Sequence, residues 1–130
     1  MITTLTTIFI SLASGLIGAL ISTIIYIKRE KRMFRVLTLK KFAANRYDIL
    51  GEQFTESLNE IFVVFNDSPI VMKELNDFHN IVTNRQGTDS ANDGLVRLYK
   101  AMCKETKIKY DHFNDSFFLK PFNVKNAKIQ

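Results

Sequence analysis

The chain has one cysteine, two prolines, five glycines, two histidines and no tryptophan in 130 residues. A single Cys103 cannot close an intramolecular disulfide, which excludes a disulfide scaffold and agrees with a reducing compartment. Beside Met102 in a helical pattern it reads as a small buried hydrophobe rather than a reactive thiol. The isolated His79 and His112, and the absence of any HExxH, Cys-pair, GxxxxGK or GxSxG pattern, leave no familiar catalytic or metal-binding signature. No catalytic residue, metal ligand, cofactor or small-molecule ligand is assigned on this basis. Asp111 and Asp115, with His112 between them, are the nearest approach to a ligand cluster. Acids and amides in a turn more commonly cap it. An unrecognised enzyme would need these three to line a deep polar pocket.

The most consequential absence is of charge. Residues 1–27 carry no charged side chain, and the next eight, 28–35, carry five Lys or Arg against one Glu. As a helix rising ~1.5 Å per residue, residues 8–27 cover about 30 Å, the thickness of a bilayer hydrocarbon core. A secretory signal would place its positive charge before a shorter apolar run, so a membrane anchor is the reading that fits. Lys28, Arg29, Lys31, Arg32 and Arg35 follow the run and no basic residue precedes it. The positive-inside bias therefore predicts an outer amino terminus and a cytoplasmic carboxyl side, with the collar against the anionic inner leaflet.

The net charge of +5 conceals three blocks: residues 28–46 sum to +7, residues 47–96 to −7 and residues 97–130 to +5. An acidic middle argues against a continuous phosphate-binding groove, so no nucleic acid is expected. Ten of the eleven Phe follow the anchor, giving the remainder an aromatic-rich core for about 100 residues, enough for one small domain.

From Tyr47 the apolar positions Tyr47, Leu50, Phe54, Leu58, Ile61 and Phe65 step by three and four and predict an amphipathic helix ending at Asn66. It is open to continuation back through Phe42, Leu37 and Phe34 into the anchor, with Gly51 its only weak point. Asp67, Ser68 and Pro69 cap the next helix, 69–83, with Val71, Leu75, Phe78 and Val82 inward. Residues 84–93 read as a polar loop of about ten residues. A third helix is expected over 92–107, with Leu95, Leu98, Tyr99, Met102 and Cys103 inward. Phe113, Phe117, Phe118, Leu119 and Phe122 then form a short aromatic segment around Pro121. The expected fold is all-α: a transmembrane anchor (1–27), a basic juxtamembrane helix (28–46), a helical cytosolic domain of about three helices plus the aromatic segment (47–122) and a flexible tail (123–130).

Three patterns are candidates for function. In the anchor, Thr4, Thr7, Ser11, Ser14 and Gly18 recur at heptad a and d spacing with Gly15 and Ser22 beside them. Such a small, hydroxylated stripe suits helix packing, or pore lining in a larger ring, unless the hydroxyls bond back to their own helix. Asp48, Glu52, Glu56 and Glu60 form an acidic ridge every four residues. Arg97, Lys100, Lys104 and Lys107 form a basic one. Like charges four apart repel slightly, so each ridge invites an opposite partner, within the chain or on a neighbour.

The stretches FTESLNEIFVVFNDSPIVMKELNDF and NDGLVRLYKAMCKETKIKYDHFNDSFFLKPF resemble a family of small bacterial membrane-anchored proteins classed as a domain of unknown function. Leu58 and Asn59 before Val63, Val64 and Phe65, then Val71, Leu95, Leu98, Met102 and a closing aromatic near Pro121, carry the likeness over residues 37–122. The resemblance implies an amino-terminal span, a compact helical cytosolic domain and a bacterial or phage origin, and supplies no catalytic residue. The ending FFLKPF departs from it where a Tyr is expected before the Pro. Two functions compete with the enzyme: a single-pass inner-membrane interaction protein that binds itself or another protein through Asn59, Phe65 and the two ridges, and, by analogy with one-span effectors of bacterial defence operons, a pore-forming effector.

Overall fold

The computed structural model describes residues 1–111 and 114–123, and every regular element among them is a helix. In chain order these are α1 (Ile2–Ala44), α2 (Glu52–Val64), α3 (Pro69–Thr83), α4 (Thr88–Thr106) and α5 (Asp115–Leu119). The chain divides into two compact units, 1–33 and 34 onward.

The first unit is the apolar part of α1 and the basic turns after it. No proline, glycine pair or turn cluster interrupts the sequence before Asn45, and α1 runs unbroken for 43 residues. By length and composition the helix is long and apolar enough to cross a membrane, and its apolar stretch is not buried against protein.

The second unit begins with the last turns of α1. Residues 34–44, expected in a juxtamembrane helix, contribute Thr38, Leu39 and Phe42 to the buried interior. Phe42 stacks against Phe54 of α2 with ring centroids 5.2 Å apart. All five helices supply the core, which centres on Phe42, Phe54, Phe65, Phe118, Leu98 and Met102, each at most 2% exposed. Two interior hydroxyls turn onto nearby carbonyls, Ser57 Oγ to Phe54 O at 2.6 Å and Thr106 Oγ1 to Met102 O at 2.8 Å. No buried side-chain polar atom among the described residues is left without a partner, as an interior of low dielectric demands.

The helix expected to begin at Tyr47 begins at Glu52. Residues 45–51 turn instead: Asp48 N–H reaches Asn45 O and Gly51 N–H reaches Asp48 O. Tyr47 and Leu50 match the helical period yet are 50% and 97% exposed, so the match in spacing is coincidental there. Gly51 has the turn's tightest position, because a Cβ would come within 2.5 Å of Asp48 Oδ2. The far end of α2 comes two residues early, at Val64, with Phe65 as its C-cap.

α3 occupies the expected 69–83, with Pro69 in its first turn and Ser68 Oγ accepting from Val71 N–H at 3.4 Å. Its inward set ends on Ile81 (9% exposed) rather than Val82 (53%). Gly94 explains the choice: α4 passes so close that an added Cβ would meet Ile81 Cδ1 at 3.1 Å and Phe78 Cδ2 at 3.2 Å. The loop expected over 84–93 is confined to 84–87, because the polar run TDSAND forms the first turns of α4 with Asp89 near its positive end. Gly87 enters that helix at φ 102°, a backbone angle that L side chains avoid. α4 closes with Lys107 at φ 58° and Ile108 N–H on Cys103 O at 2.9 Å, a Schellman ending that lacks its usual glycine.

α5 is fastened by one of its aromatics. Phe118 is buried and stacks on Tyr99 at 4.5 Å, and Arg46 both donates to Phe118 O at 2.8 Å and lies over its ring. Phe117 and Phe122, expected to pack with it, stay 56% and 84% exposed. Phe113, and residues 124–130 of the tail expected over 123–130, lie outside the described residues.

Candidate functional site

Along α1 the hydroxyl side chains donate to carbonyls one turn back: Thr6 to Ile2, Thr7 to Thr3, Ser11 to Thr7 and Thr23 to Ala19, each at 2.8 Å. A hydroxyl is cheapest to hold in hydrocarbon in this way, since the helix supplies its own acceptor. Ser14, Gly15, Gly18 and Ser22 are exposed along the same helix, with no atom within 4 Å of a Cβ built at either glycine.

The collar divides in two. Lys28, Arg29, Lys31 and Arg32 are exposed. Arg35, read from sequence as a fifth contact to the leaflet, is turned into the domain and its side chain is only 11% exposed. Its Nε donates to Val64 O at 2.9 Å, its guanidinium pairs with Asp67 and reaches Glu105 at 3.7 Å, and it lies 5.1 Å from the centre of the Phe65 ring. Arg35 thus occupies the end of α2, where the last helical carbonyls lack intrahelical partners.

The two charged ridges do not meet each other. Glu56 and Glu60 both engage Lys41 of α1, at 3.0 and 2.8 Å, and Thr38 Oγ1 also donates to Glu60. Lys41 holds the Glu60 carboxyl below the usual carboxylate range, and the two glutamates hold the Lys41 ammonium above its ordinary value. Asp48 falls in the turn before α2 and so leaves the helical register of the ridge. On α4, Arg97 reaches Glu74 at 3.3 Å and Lys100 reaches Asp115 at 3.0 Å. Lys104 keeps its place on α4, while Lys107 is the left-handed cap beyond it. An apolar-floored hollow of about 210 Å³ lies along this basic face between Ile70, Arg97, Lys104 and Tyr110.

An apolar concavity that sequence reasoning missed lies on the α2 and α3 side of the domain. α2 and α3 leave a groove of about 210 Å³ between them, lined by Leu58, Asn59, Phe62, Leu75, His79 and Val82 among others. Phe62 and Val82 stand 58% and 53% exposed at its edges. Asn59, singled out from sequence, is one of its lining residues, whereas Phe65 is fully buried under Arg35 and offers no outer contact. The one sign of it in the sequence was Phe62, a large apolar residue outside the inward stripe of Leu58, Ile61 and Phe65.

A polar cavity of about 320 Å³ lies at the α1–α2 turn, lined by Asn45, Tyr47, Asp48, Glu52 and Gln53. Asp111 and Asp115 are exposed, Asp115 pairs with Lys100, and His112 lies outside the described residues. No group of three potential metal ligands occurs among the described residues. Cys103 is fully buried, where burial raises its thiol pKa, and its neighbour Tyr99 is pushed up to about 12 chiefly by burial. Comparison with known proteins yields no relative: no family model, no curated protein and no solved structure matches the chain.

Proposed function

We propose that this is a non-enzymatic, membrane-anchored interaction protein. The apolar part of α1 crosses a bacterial cell membrane with the amino terminus outside, and the helical domain sits at the anionic cytoplasmic face, where it binds a protein partner, foremost another copy of itself. The observation that carries this reading is the continuity of α1: the helix whose first part is apolar and uncovered by protein supplies Leu39 and Phe42 to the domain core at its other end. A partner-binding role for the domain is supported by the open α2–α3 groove, because an exposed apolar concavity on a small domain stays soluble only at a cost. The Lys28, Arg29, Lys31 and Arg32 collar contributes attraction to anionic lipid of about 1 kcal/mol per charge near the surface. The back-bonded hydroxyls favour an anchor over a water-filled pore.

Fractionation of cells expressing the full chain, followed by mass measurement in mild detergent, tests the proposal. The protein is expected in the membrane fraction, released by detergent and not by high salt, with a mass above that of one chain. Recovery in the soluble fraction without detergent overturns the anchoring, and a strictly monomeric species that captures nothing from its own cells overturns the interaction role.

A further inference from the structure

Two exposed features of the domain have complementary shape and charge. The first is the α2–α3 groove. At about 210 Å³ it is smaller than the ~300–1,000 Å³ typical of a small-molecule site and suits inserted side chains instead. It belongs to the acidic block of the chain, residues 47–96 with net charge −7, and the exposed Glu52 shares the outer face of α2 with Thr55 and Asn59 of the groove.

The second is the aromatic corner after α4. Phe117 and Phe122 pack edge to face with ring centroids 5.8 Å apart and remain 56% and 84% exposed, with exposed Lys120 between them in sequence. The corner is held out by its neighbour: Phe118 points inward to Tyr99 and Arg46, so Phe117 points outward. Two rings held in a fixed pair lose little conformational freedom on binding. The corner belongs to the basic block, residues 97–130 with net charge +5.

We propose that the α2–α3 groove receives the Phe117 and Phe122 corner of a second copy, with Lys120 set against Glu52, so that domains join head to tail. Both features are exposed in one copy, so neither covers the other within the chain. Every copy carries both halves of the contact, which makes it heterologous and closes into a ring or propagates as an open chain. The contact is small, and confinement of anchored copies to one membrane supplies the effective concentration it needs. This inference rests on the reading that the domain self-associates.

Cross-linking in the membrane tests it. Two tagged forms of the full chain, one with Thr83→Cys at the groove end of α3 and one with Asn123→Cys beside the corner, are co-expressed and treated with a short thiol cross-linker. Wild type, whose Cys103 is buried, sets the background. A cross-link between the two forms, and a ladder from a chain carrying both substitutions, are expected. Phe117→Ala with Phe122→Ala should weaken association roughly ten- to a hundredfold, and Phe62→Glu at the exposed groove edge should abolish the cross-link. An oligomer that cross-links only 83 to 83, or not at all, overturns this interface and leaves self-association standing. Cross-linking of the groove to a different protein overturns it too. A monomer at every concentration overturns the reading beneath it.

Discussion

Removing the Arg35 side chain should loosen the whole domain, although its neighbours in sequence form the exposed collar. The guanidinium donates to Val64 O at 2.9 Å, pairs with Asp67 and Glu105, and covers the Phe65 ring. A hydrogen bond from a charged donor contributes about 1.5–3 kcal/mol. The pair with Asp67, which is 51% exposed, adds less than about 1 kcal/mol, and the cation–π contact adds ~0.5–1 kcal/mol. These contributions share one side chain and do not sum, so Arg35→Ala should cost about 2–3 kcal/mol. For a domain of roughly 100 residues that lowers Tm by about 10–20 °C. The fully buried Cys103 gives a direct assay: its labelling by a thiol reagent reports the population of opened domain. A loss of about 2 kcal/mol should speed labelling about thirtyfold. Arg35→Lys keeps the charge and loses the planar fork, and should fall between the two. If Arg35→Ala labels within about twofold of wild type, or if Arg35→Lys equals Arg35→Ala, Arg35 does not tie α1 to α2.

Gly94→Leu should destabilise by at least about 1–3 kcal/mol in a chemical denaturation series, because Ile81 and Phe78 already stand 3.1–3.2 Å from a Cβ there. Lys107→Gly should stabilise by about 1 kcal/mol, since φ 58° at that cap strains any residue with a Cβ. Raising the pH should weaken the domain: the Tyr99 hydroxyl, ordinarily near 10 and about 12 when folded, favours the native state fully below pH 10 and loses that contribution as pH rises towards 12. The raised Cys103 thiol acts in the same direction from about pH 9, so a Tyr99→Phe, Cys103→Ala double variant should flatten the alkaline part of a Tm–pH curve. Ser14→Leu with Gly18→Leu should leave membrane insertion intact and dye leakage from loaded vesicles unchanged, and a leak present in wild type and lost in the variant would support a conducting bundle.

The parts of the fold legible in the sequence were those where several local signals agreed. α3 carries a Ser cap, a Pro in the first turn and an apolar stripe, and its limits are as expected. The break before α2 was hidden because Tyr47 and Leu50 fall on the helical period while facing solvent, and period alone is blind to the turn that Gly51 and Asp48 close. The start of α4 was hidden for the opposite reason: TDSAND has no apolar stripe, and it is helical because Gly94 and Leu95 beyond it dock on α3. The inward stripe of α3 shifted by one residue, from Val82 to Ile81, since the approach of Gly94 is a property of the helix pair and of neither helix alone. The candidate site was the least legible. A groove belongs to two segments at once, and a charge such as Arg35 shows its destination only when Val64, Asp67 and Glu105, distant in sequence, arrive around it.

The clasp between Arg46 and Phe118 joins residues 72 positions apart. Closing so long a loop is slower than pairing adjacent helices, so this joint is expected to form late. Together with the Tyr99 stack and the Lys100–Asp115 pair it sets the direction in which Phe117 and Phe122 project. In the assembly proposed above, a half-made or damaged molecule is left out, because it has nothing shaped to offer its neighbour.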